Sequence, residues 1–100
     1  MRIIARNRVM AFWAKHPASK ASLLHWLHVT KAAQWQSGSD VQAAFSKAKV
    51  LNDERVRFEV AGGDYRLIAA FDFRRGIAFV KFIGAHAEYD KVDALSVNLF

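Results

Sequence analysis

The sequence predicts an α+β fold in which N-terminal helices pack on an antiparallel sheet. Apolar residues recur at helical spacing in the first third of the chain, and they alternate with polar residues from Arg55 onward. Short turns containing glycine separate the alternating segments, and tight turns join antiparallel strands. A chain of 100 residues is expected to form a single domain over residues 1–100, because about 100–150 residues is the usual domain size.

Two helices are predicted in the N-terminal part, over residues 6–15 and 19–36. The first should end before Pro17, because proline disfavours helical backbone at the preceding residue. Asp40 is a plausible N-cap for a short turn through residues 41–45. The side chains that share the apolar faces of the two helices are Val9, Phe12, Trp13, Leu23, Trp26, Leu27 and Thr30.

A meander of three strands is predicted over residues 55–60, 65–73 and 77–83. Gly62 and Gly63 should form the first hairpin turn. An additional short strand is predicted at residues 2–5. One face of this sheet must be covered by the two helices, because each element has to bury its apolar side.

The alternation along the strands places three charged residues, Arg57, Glu59 and Arg66, on the open face of the sheet. Lys81 interrupts the apolar run of the third strand. It is expected to reach an edge, a groove or this open face, because a buried unpaired ammonium group is costly. The C-terminal residues 95–100 should either pack back on the sheet or add to a sheet edge of a partner.

The charge of the chain is unevenly distributed. The net charge is +6, and the first fifty residues contain eight Lys or Arg residues but one acidic residue, Asp40. Such a chain favours a polyanion partner such as nucleic acid, because phosphates that bind cations release counterions. A basic surface that only maintains solubility is the alternative.

The composition also excludes some cellular locations and some kinds of site chemistry for this protein. Without cysteine the chain has neither a disulfide framework nor a thiolate nucleophile. No apolar run approaches the roughly 20 residues that span a bilayer, and charges interrupt every candidate signal sequence. A cytoplasmic location without membrane association is therefore expected.

A group suited to acid–base chemistry, His86, Glu88 and Tyr89, directly follows the third predicted strand. Histidine exchanges protons near neutrality, glutamate accepts a proton, and tyrosine donates a hydrogen bond or a proton. RNA cleavage requires a base for the 2′-hydroxyl group, an acid for the leaving 5′-oxygen and fixed cations for the phosphate. The alternative is a histidine that only begins a helix or fills the core. The cations that could serve are Arg57, Arg66 and Lys81.

Other candidate sites are weaker. His25 and His28 have a spacing that can ligate a metal, but no Cys, Asp or Glu lies nearby in sequence. No metal or cofactor is therefore expected. Trp13, Trp26 and Trp35 could form a base-stacking platform, but their spacing favours core packing, with Trp35 the most exposed of the three.

The residues that carry chemistry also resemble a known family. Residues 80–93, VKFIGAHAEYDKVD, resemble the C-terminal signature of HigB-family toxins of type II toxin–antitoxin systems. Residues 62–67, GGDYRL, resemble the turn and strand of that family, and the layout of the second helix is also similar. The resemblance extends over nearly the whole chain.

This resemblance implies a RelE-like fold and mRNA interferase activity, often on translated message at the ribosome. It also implies neutralisation by a HigA-type antitoxin with a helix-turn-helix domain. Arg66, His86 and Tyr89 match motif residues and are the expected catalytic groups. Arg57 and Lys81, which come from the strand pattern, are the expected RNA phosphate ligands.

Three positions depart from the family pattern. Asp64 and Glu59 stand where asparagine is usual, and Ala85 replaces a frequent threonine. The two carboxylates could weaken phosphate binding by pairing with arginines, or they could orient those arginines. Two other functions therefore stay open, an attenuated or non-catalytic RNA- or ribosome-binding module and a ParE-like gyrase poison.

Overall fold

The structure, a computed structural model that describes residues 1–99, contains four α-helices and a five-stranded sheet within that range. The helices are α1 (Arg6–Lys15), α2 (Lys20–Ala32), α3 (Gly38–Ala44) and α4 (His86–Tyr89). The strands are β1 (Arg2–Ile4), β2 (Lys49–Val50), β3 (Arg55–Val60), β4 (Tyr65–Asp72) and β5 (Ile77–Ala85).

The sheet has the strand order β1-β5-β4-β3-β2. Strands β3 to β5 form the predicted antiparallel meander, β2 adds to it antiparallel, and β1 pairs parallel to β5. The α+β class with helices on a sheet is confirmed, but the sheet is mixed. Parallel pairing is possible here because nearly the whole chain lies between the two strands and provides a long connection. Strand β2 was not predicted, because a strand of two residues has no periodic pattern.

Helix α2 ends four residues earlier than predicted. Its C-cap Ala33 has extended backbone, with ψ 152°. The departure lets Trp35 turn into the core, where its ring meets the rings of Phe45 and Phe71 edge to face. Tertiary packing of an aromatic side chain thus outweighs the helical propensity of residues 33–36.

The prediction of Asp40 as an N-cap was wrong. The cap of α3 is Ser37, which has extended backbone and whose Oγ accepts a hydrogen bond from the Asp40 amide at 3.4 Å. Asp40 lies within the first turn, and its carboxylate accepts from the Gln36 amide at 2.9 Å. A carboxylate is favourable in that turn because it faces the positive end of the helix.

The main core lies between the helices and one face of the sheet, here called the helix face. The tryptophans belong to it, as the core-packing interpretation predicted: Trp26 is fully buried, and Trp13 and Trp35 are half-buried against it. Trp35 is therefore less exposed than expected. Buried residues of the helix face include Val56, Phe58, Val60, Leu67, Ala69, Phe71, Ala78, Val80 and Ile83.

The opposite face, here called the second face, is not open as predicted. Ile68, Ala70 and Phe82 are buried there although they lie outside the main core cluster. The chain returns over them after α4: Arg55 Nη1 donates to the carbonyls of Ala94 at 3.2 Å and Val97 at 2.7 Å. The amide of residue 99 donates to the carbonyl of residue 81 at 2.9 Å.

Residues 93–99, here called the C-terminal cover, thus pack back on the sheet, which is one of the two alternatives that the sequence left open. Phe100, the last residue of that predicted segment, lies outside the described residues. The C-terminal cover is anchored on β5 at a β-bulge. Ile68 pairs with Phe82 and Ala69 with Val80, so Lys81 is the extra residue. No helix within residues 1–99 has the length and apolar character needed to cross a membrane.

Replacing Arg55 by Ala is expected to loosen the C-terminal cover. The change removes two hydrogen bonds from a charged donor, a class worth about 1.5–3 kcal/mol each. Amide exchange at Leu99 should accelerate roughly tenfold or more, while the amides of β4 keep their protection. Arg74→Ala, at an exposed turn, is the control. Equal exchange at Leu99 in both variants would show that Arg55 does not hold the cover.

Replacing Ala85 by Thr is expected to stabilise α4. Ala85 is the N-cap and has the extended backbone of one, with φ −66° and ψ 159°, but no side chain that accepts a hydrogen bond. A threonine hydroxyl there should add about 0.5–1 kcal/mol to the free energy of unfolding, measured by urea denaturation. Ala87→Thr, inside α4, should instead be neutral or destabilising. A gain from both changes, or from neither, would contradict this assignment of the cap.

Candidate functional site

Arg66 is a buried cation at the start of β4. Its side chain is 10% exposed and faces the second face, beside Glu59 of β3. Nη1 donates to the carbonyl of Gly63 and lies 3.9 Å from Glu59 Oε1. Nε is buried without a hydrogen-bond partner within residues 1–99. The guanidinium group is therefore only partly satisfied by the protein.

The turn between β3 and β4 makes this arrangement possible. Gly62 and Gly63 have φ of 68° and 102°, a region that glycine adopts without strain. A Cβ atom on Gly63 would lie 3.0 Å from Glu59 Oε1 and 3.2 Å from Arg66 Nη1. The predicted hairpin turn is confirmed, and its second glycine leaves room for the arginine to fold back on the turn.

His86 stands at the start of α4, where its side chain is 54% exposed. Its amide donates to the Asp64 carbonyl at 3.0 Å, which fixes α4 beside the hairpin turn. Its Nδ1 lies 3.1 Å from Asp90 Oδ2, four residues on. A carboxylate at Nδ1 favours the tautomer that carries its proton there, which leaves Nε2 as the nitrogen available to a substrate.

Glu88 and Tyr89 have different roles in α4. Glu88 Oε1 accepts from the Ala85 amide at 3.0 Å, so its carboxylate caps the helix. Tyr89 is half-buried, with its ring 6.2 Å from that of Phe82. Phe82 in turn lies across Gly84, where an added Cβ would approach its ring to 2.6 Å. These contacts make Glu88 structural and place Tyr89 on the second face.

Arg57 and Lys81 lie farther along the second face. Arg57 pairs with Ile68, one row from the pair formed by Glu59 and Arg66, and its Nε is buried without a partner within residues 1–99. The Lys81 ammonium group lies 5.5 Å from the Phe79 ring centre and 3.3 Å from Asn98 Oδ1. Lys81 thus reaches the second face, one of the three places that the sequence left open, where it contacts the C-terminal cover.

The structure brings most of the predicted residues to one end of the sheet. Arg66 pairs with Gly84 in register, and Tyr65 pairs with Ala85, the residue before His86. The group defined by Glu59, Arg66, His86, Tyr89 and Asp90 is here called the α4 cluster. Arg57 borders it, whereas Lys81 extends away from it.

The sequence analysis gave no role to two residues that the structure brings into the site. Asp90 orients His86, and its i, i+4 spacing from that histidine was a signal that could have identified it. Arg55 anchors the C-terminal cover, and no sequence pattern indicates that contact. Within residues 1–99, no group of three or more His, Cys, Asp and Glu side chains is placed to hold a metal ion.

The α4 cluster combines an oriented imidazole with a partly satisfied cation. An exposed histidine with a carboxylate on Nδ1 can give or take a proton through Nε2. A guanidinium group with an unpaired N–H donor can stabilise an anion. This set is suited to a reaction at a phosphate group, in which a proton moves and negative charge develops.

Most of the chain matches a known family of proteins. The model of the HigB_toxin family, described as the RelE-like toxic component of a toxin–antitoxin system, matches residues 19–92. That range includes every residue of the α4 cluster. No curated protein shows a significant match to the chain. Because the family match covers well over half of the chain, and the fold and the resemblance of its motifs agree, the chain belongs to the HigB family of toxins of toxin–antitoxin systems.

Proposed function

We propose that this toxin is an mRNA interferase, a metal-independent endoribonuclease that cuts cytoplasmic message on the ribosome. Its neutralising partner would be a HigA-type antitoxin with a helix-turn-helix domain. The observation that carries the proposal is the pairing of His86 with Asp90 at the end of the sheet where Arg66 is buried. The family assignment supports the toxin role and the existence of an antitoxin.

The proposed reaction needs groups of the kinds found in the α4 cluster. A base removes the proton of the ribose 2′-hydroxyl group, and the 2′-oxygen attacks the adjacent phosphorus. The bond from phosphorus to the 5′-oxygen breaks, and an acid protonates that oxygen. The products are a 2′,3′-cyclic phosphate and a free 5′-hydroxyl group. Cations near the phosphate lower the barrier by stabilising the charge that develops.

His86 is the proposed proton-transfer residue. It is exposed enough to meet a substrate, and Asp90 fixes its ring. Tyr89, on the same short helix, is proposed to position the nucleotide or to donate the second proton.

Arg66 and Arg57 are the proposed phosphate ligands. Each leaves a buried Nε–H donor without a protein acceptor, and such donors are uncommon in folded proteins. A phosphate oxygen is an acceptor of the right charge. Because both Nε atoms are buried, binding requires the guanidinium groups to turn toward the substrate. Lys81, which contacts Asn98, would add positive charge farther along the face.

A second function has its own supporting observation. Arg66 already donates to the Gly63 carbonyl and lies 3.9 Å from a carboxylate, so its affinity for phosphate is reduced. This favours an attenuated toxin, or a module that binds RNA or the ribosome without cutting. Toe-printing during translation in vitro separates the two functions, because a nuclease truncates the message and a binding module only stalls it.

Replacing His86 by Ala is expected to lower message cleavage about a hundredfold or more, the usual contribution of a positioned acid or base. The measurement is the cleavage rate of a translated message, together with growth arrest on expression. His25→Ala, which removes an exposed histidine of α2, is the matched control and should cleave normally. Normal cleavage by the His86 variant would exclude its catalytic role. DNA breaks without message loss would instead indicate a gyrase poison.

Replacing Glu59 by Gln is expected to tighten RNA binding roughly two- to fivefold, a range set by the modest energy of an ion pair whose atoms lie 3.9 Å apart. The change removes the carboxylate beside Arg66 and keeps the shape of the side chain. Affinity would be measured by fluorescence anisotropy in a His86→Ala background, which prevents cleavage.

Glu54→Gln, in the exposed loop before β3, provides the matched charge change for that measurement. It should alter the affinity much less. An equal gain in both variants would indicate a general charge effect. A weaker affinity in the Glu59 variant would show that this carboxylate orients Arg66 for RNA.

A further inference from the structure

The helices form a strongly basic layer on the side of the sheet away from the α4 cluster. Residues 1–36 contain six Lys or Arg residues and no Asp or Glu. Helices α1 and α2 contribute most of this charge, and Arg6, Lys20 and Lys31 are exposed on them. The mechanism proposed above uses none of these side chains. Two adjacent helices without a carboxylate repel cationic partners and attract acidic ones.

A groove between α1 and α2 concentrates this charge. It has a volume of about 240 Å³. Leu24, His28 and Lys31 follow one another at i, i+4 and i+7, so they form one stripe along α2. Arg6 faces this stripe from α1. The residues that line the groove are Arg6, Leu24, Leu27, His28 and Lys31.

The groove also exposes apolar surface. Leu24 is 43% exposed, while Leu27 behind it is buried and forms the floor. Met10, one helical turn after Arg6 on α1, is 46% exposed. Leu24 and Met10 are two of the five large hydrophobic side chains exposed within residues 1–99. Cations beside an exposed leucine are typical of a surface that recognises an amphipathic segment.

We propose that this groove is the docking site for an acidic amphipathic segment of the antitoxin. An apolar side chain of that segment would cover Leu24 and the Leu27 floor. Asp or Glu residues on either side would pair with Arg6 and Lys31. The partner is identified as the antitoxin because a toxin of this family has one. The groove also belongs to residues 1–36, which contain no Asp or Glu and therefore favour an acidic partner.

RNA fits the groove less well than a protein segment does. Its phosphates would pair with the cations, but they would leave Leu24 exposed to water. Nucleotide bases are usually held by aromatic rings or arginine planes. Among the lining residues, only His28 and Arg6 could stack on a base. Leu24 and Leu27 are aliphatic and cannot. An acidic peptide satisfies both the charged rim and the apolar floor.

The test uses the antitoxin of this toxin, identified by its ability to prevent growth arrest, as the probe. Two groove variants of the full toxin chain, Leu24→Asp and Lys31→Glu, are compared with the unchanged toxin by isothermal titration. Each should weaken antitoxin binding about tenfold or more, because like charges across an interface are strongly unfavourable. Lys31→Gln, a milder change, should weaken binding by a smaller factor.

Lys15→Glu is the matched control. Lys15 ends α1, is exposed and lies outside the groove, so its reversal makes the same change in net charge. It should weaken binding less than threefold. Equal losses for Lys15→Glu and Lys31→Glu would overturn the proposal, since general charge attraction would then explain both. Unchanged binding by Leu24→Asp, with thermal unfolding like that of the unchanged toxin, would also overturn it.

A second titration uses a duplex RNA of 20 base pairs. If the groove variants lose RNA binding while antitoxin binding is unchanged, the surface recognises nucleic acid and the proposal is wrong. Both titrations measure binding, so their outcome does not depend on RNA cleavage. Failure of the His86 prediction would leave this proposal standing, and the reverse also holds.

Discussion

Strand β4 is buried on both of its faces, and the rest of the structure follows from that constraint. Its six inner residues are all buried. Leu67, Ala69 and Phe71 pack toward the helices, but Ile68 and Ala70 point the other way and need a second cover. Helix α4 and the C-terminal cover provide it, because the chain must return over the sheet after β5. The position of His86 is therefore a consequence of packing as much as of chemistry.

The same constraint explains the surroundings of Arg66. A guanidinium group at a strand with two buried faces loses its water, and it must find acceptors in the protein. The Gly63 carbonyl accepts a hydrogen bond from Nη1, and the glycine turn brings it into reach, while the Glu59 carboxylate compensates the charge from 3.9 Å. Site chemistry and turn conformation are thus coupled. Glu59 compensates the buried charge locally, and under the proposed function it would compete with a phosphate for the same arginine.

Sequence periodicity predicted the strands and their faces well, because alternation in a sheet is fixed by geometry. The positions of Arg57, Glu59 and Arg66 on one face follow from it. It did not predict that this face is covered, because residues 93–99 have no periodic pattern and are held by contacts between Arg55 and backbone carbonyls.

Other differences arise from contacts that are distant in sequence or from local choices between similar residues. The bulge at Lys81 depends on the pairing of β5 with β4, and no residue type in the sequence indicates it. Helix α2 ends early because the Trp35 ring packs against the rings of Phe45 and Phe71. These residues lie at the end of α3 and in β4, and only the fold brings them together. Ser37 and Asp40 are both good capping residues, and sequence alone did not decide between them. The His86–Asp90 pair was also missed, although its i, i+4 spacing could have indicated it.

The extent of the family match separates what is shared from what is particular to this chain. The match runs from residue 19 to residue 92 and therefore includes Arg66, His86, Tyr89 and Asp90. It excludes α1, which contributes Arg6 to the basic groove, and it ends just before the C-terminal cover. Family membership thus bears on the α4 cluster and on the α2 side of the groove, but it carries no information about α1 or the C-terminal cover. For those two elements the evidence is physical: α1 carries no Asp or Glu and contributes Arg6 to the groove, and Arg55 holds the cover over the second face.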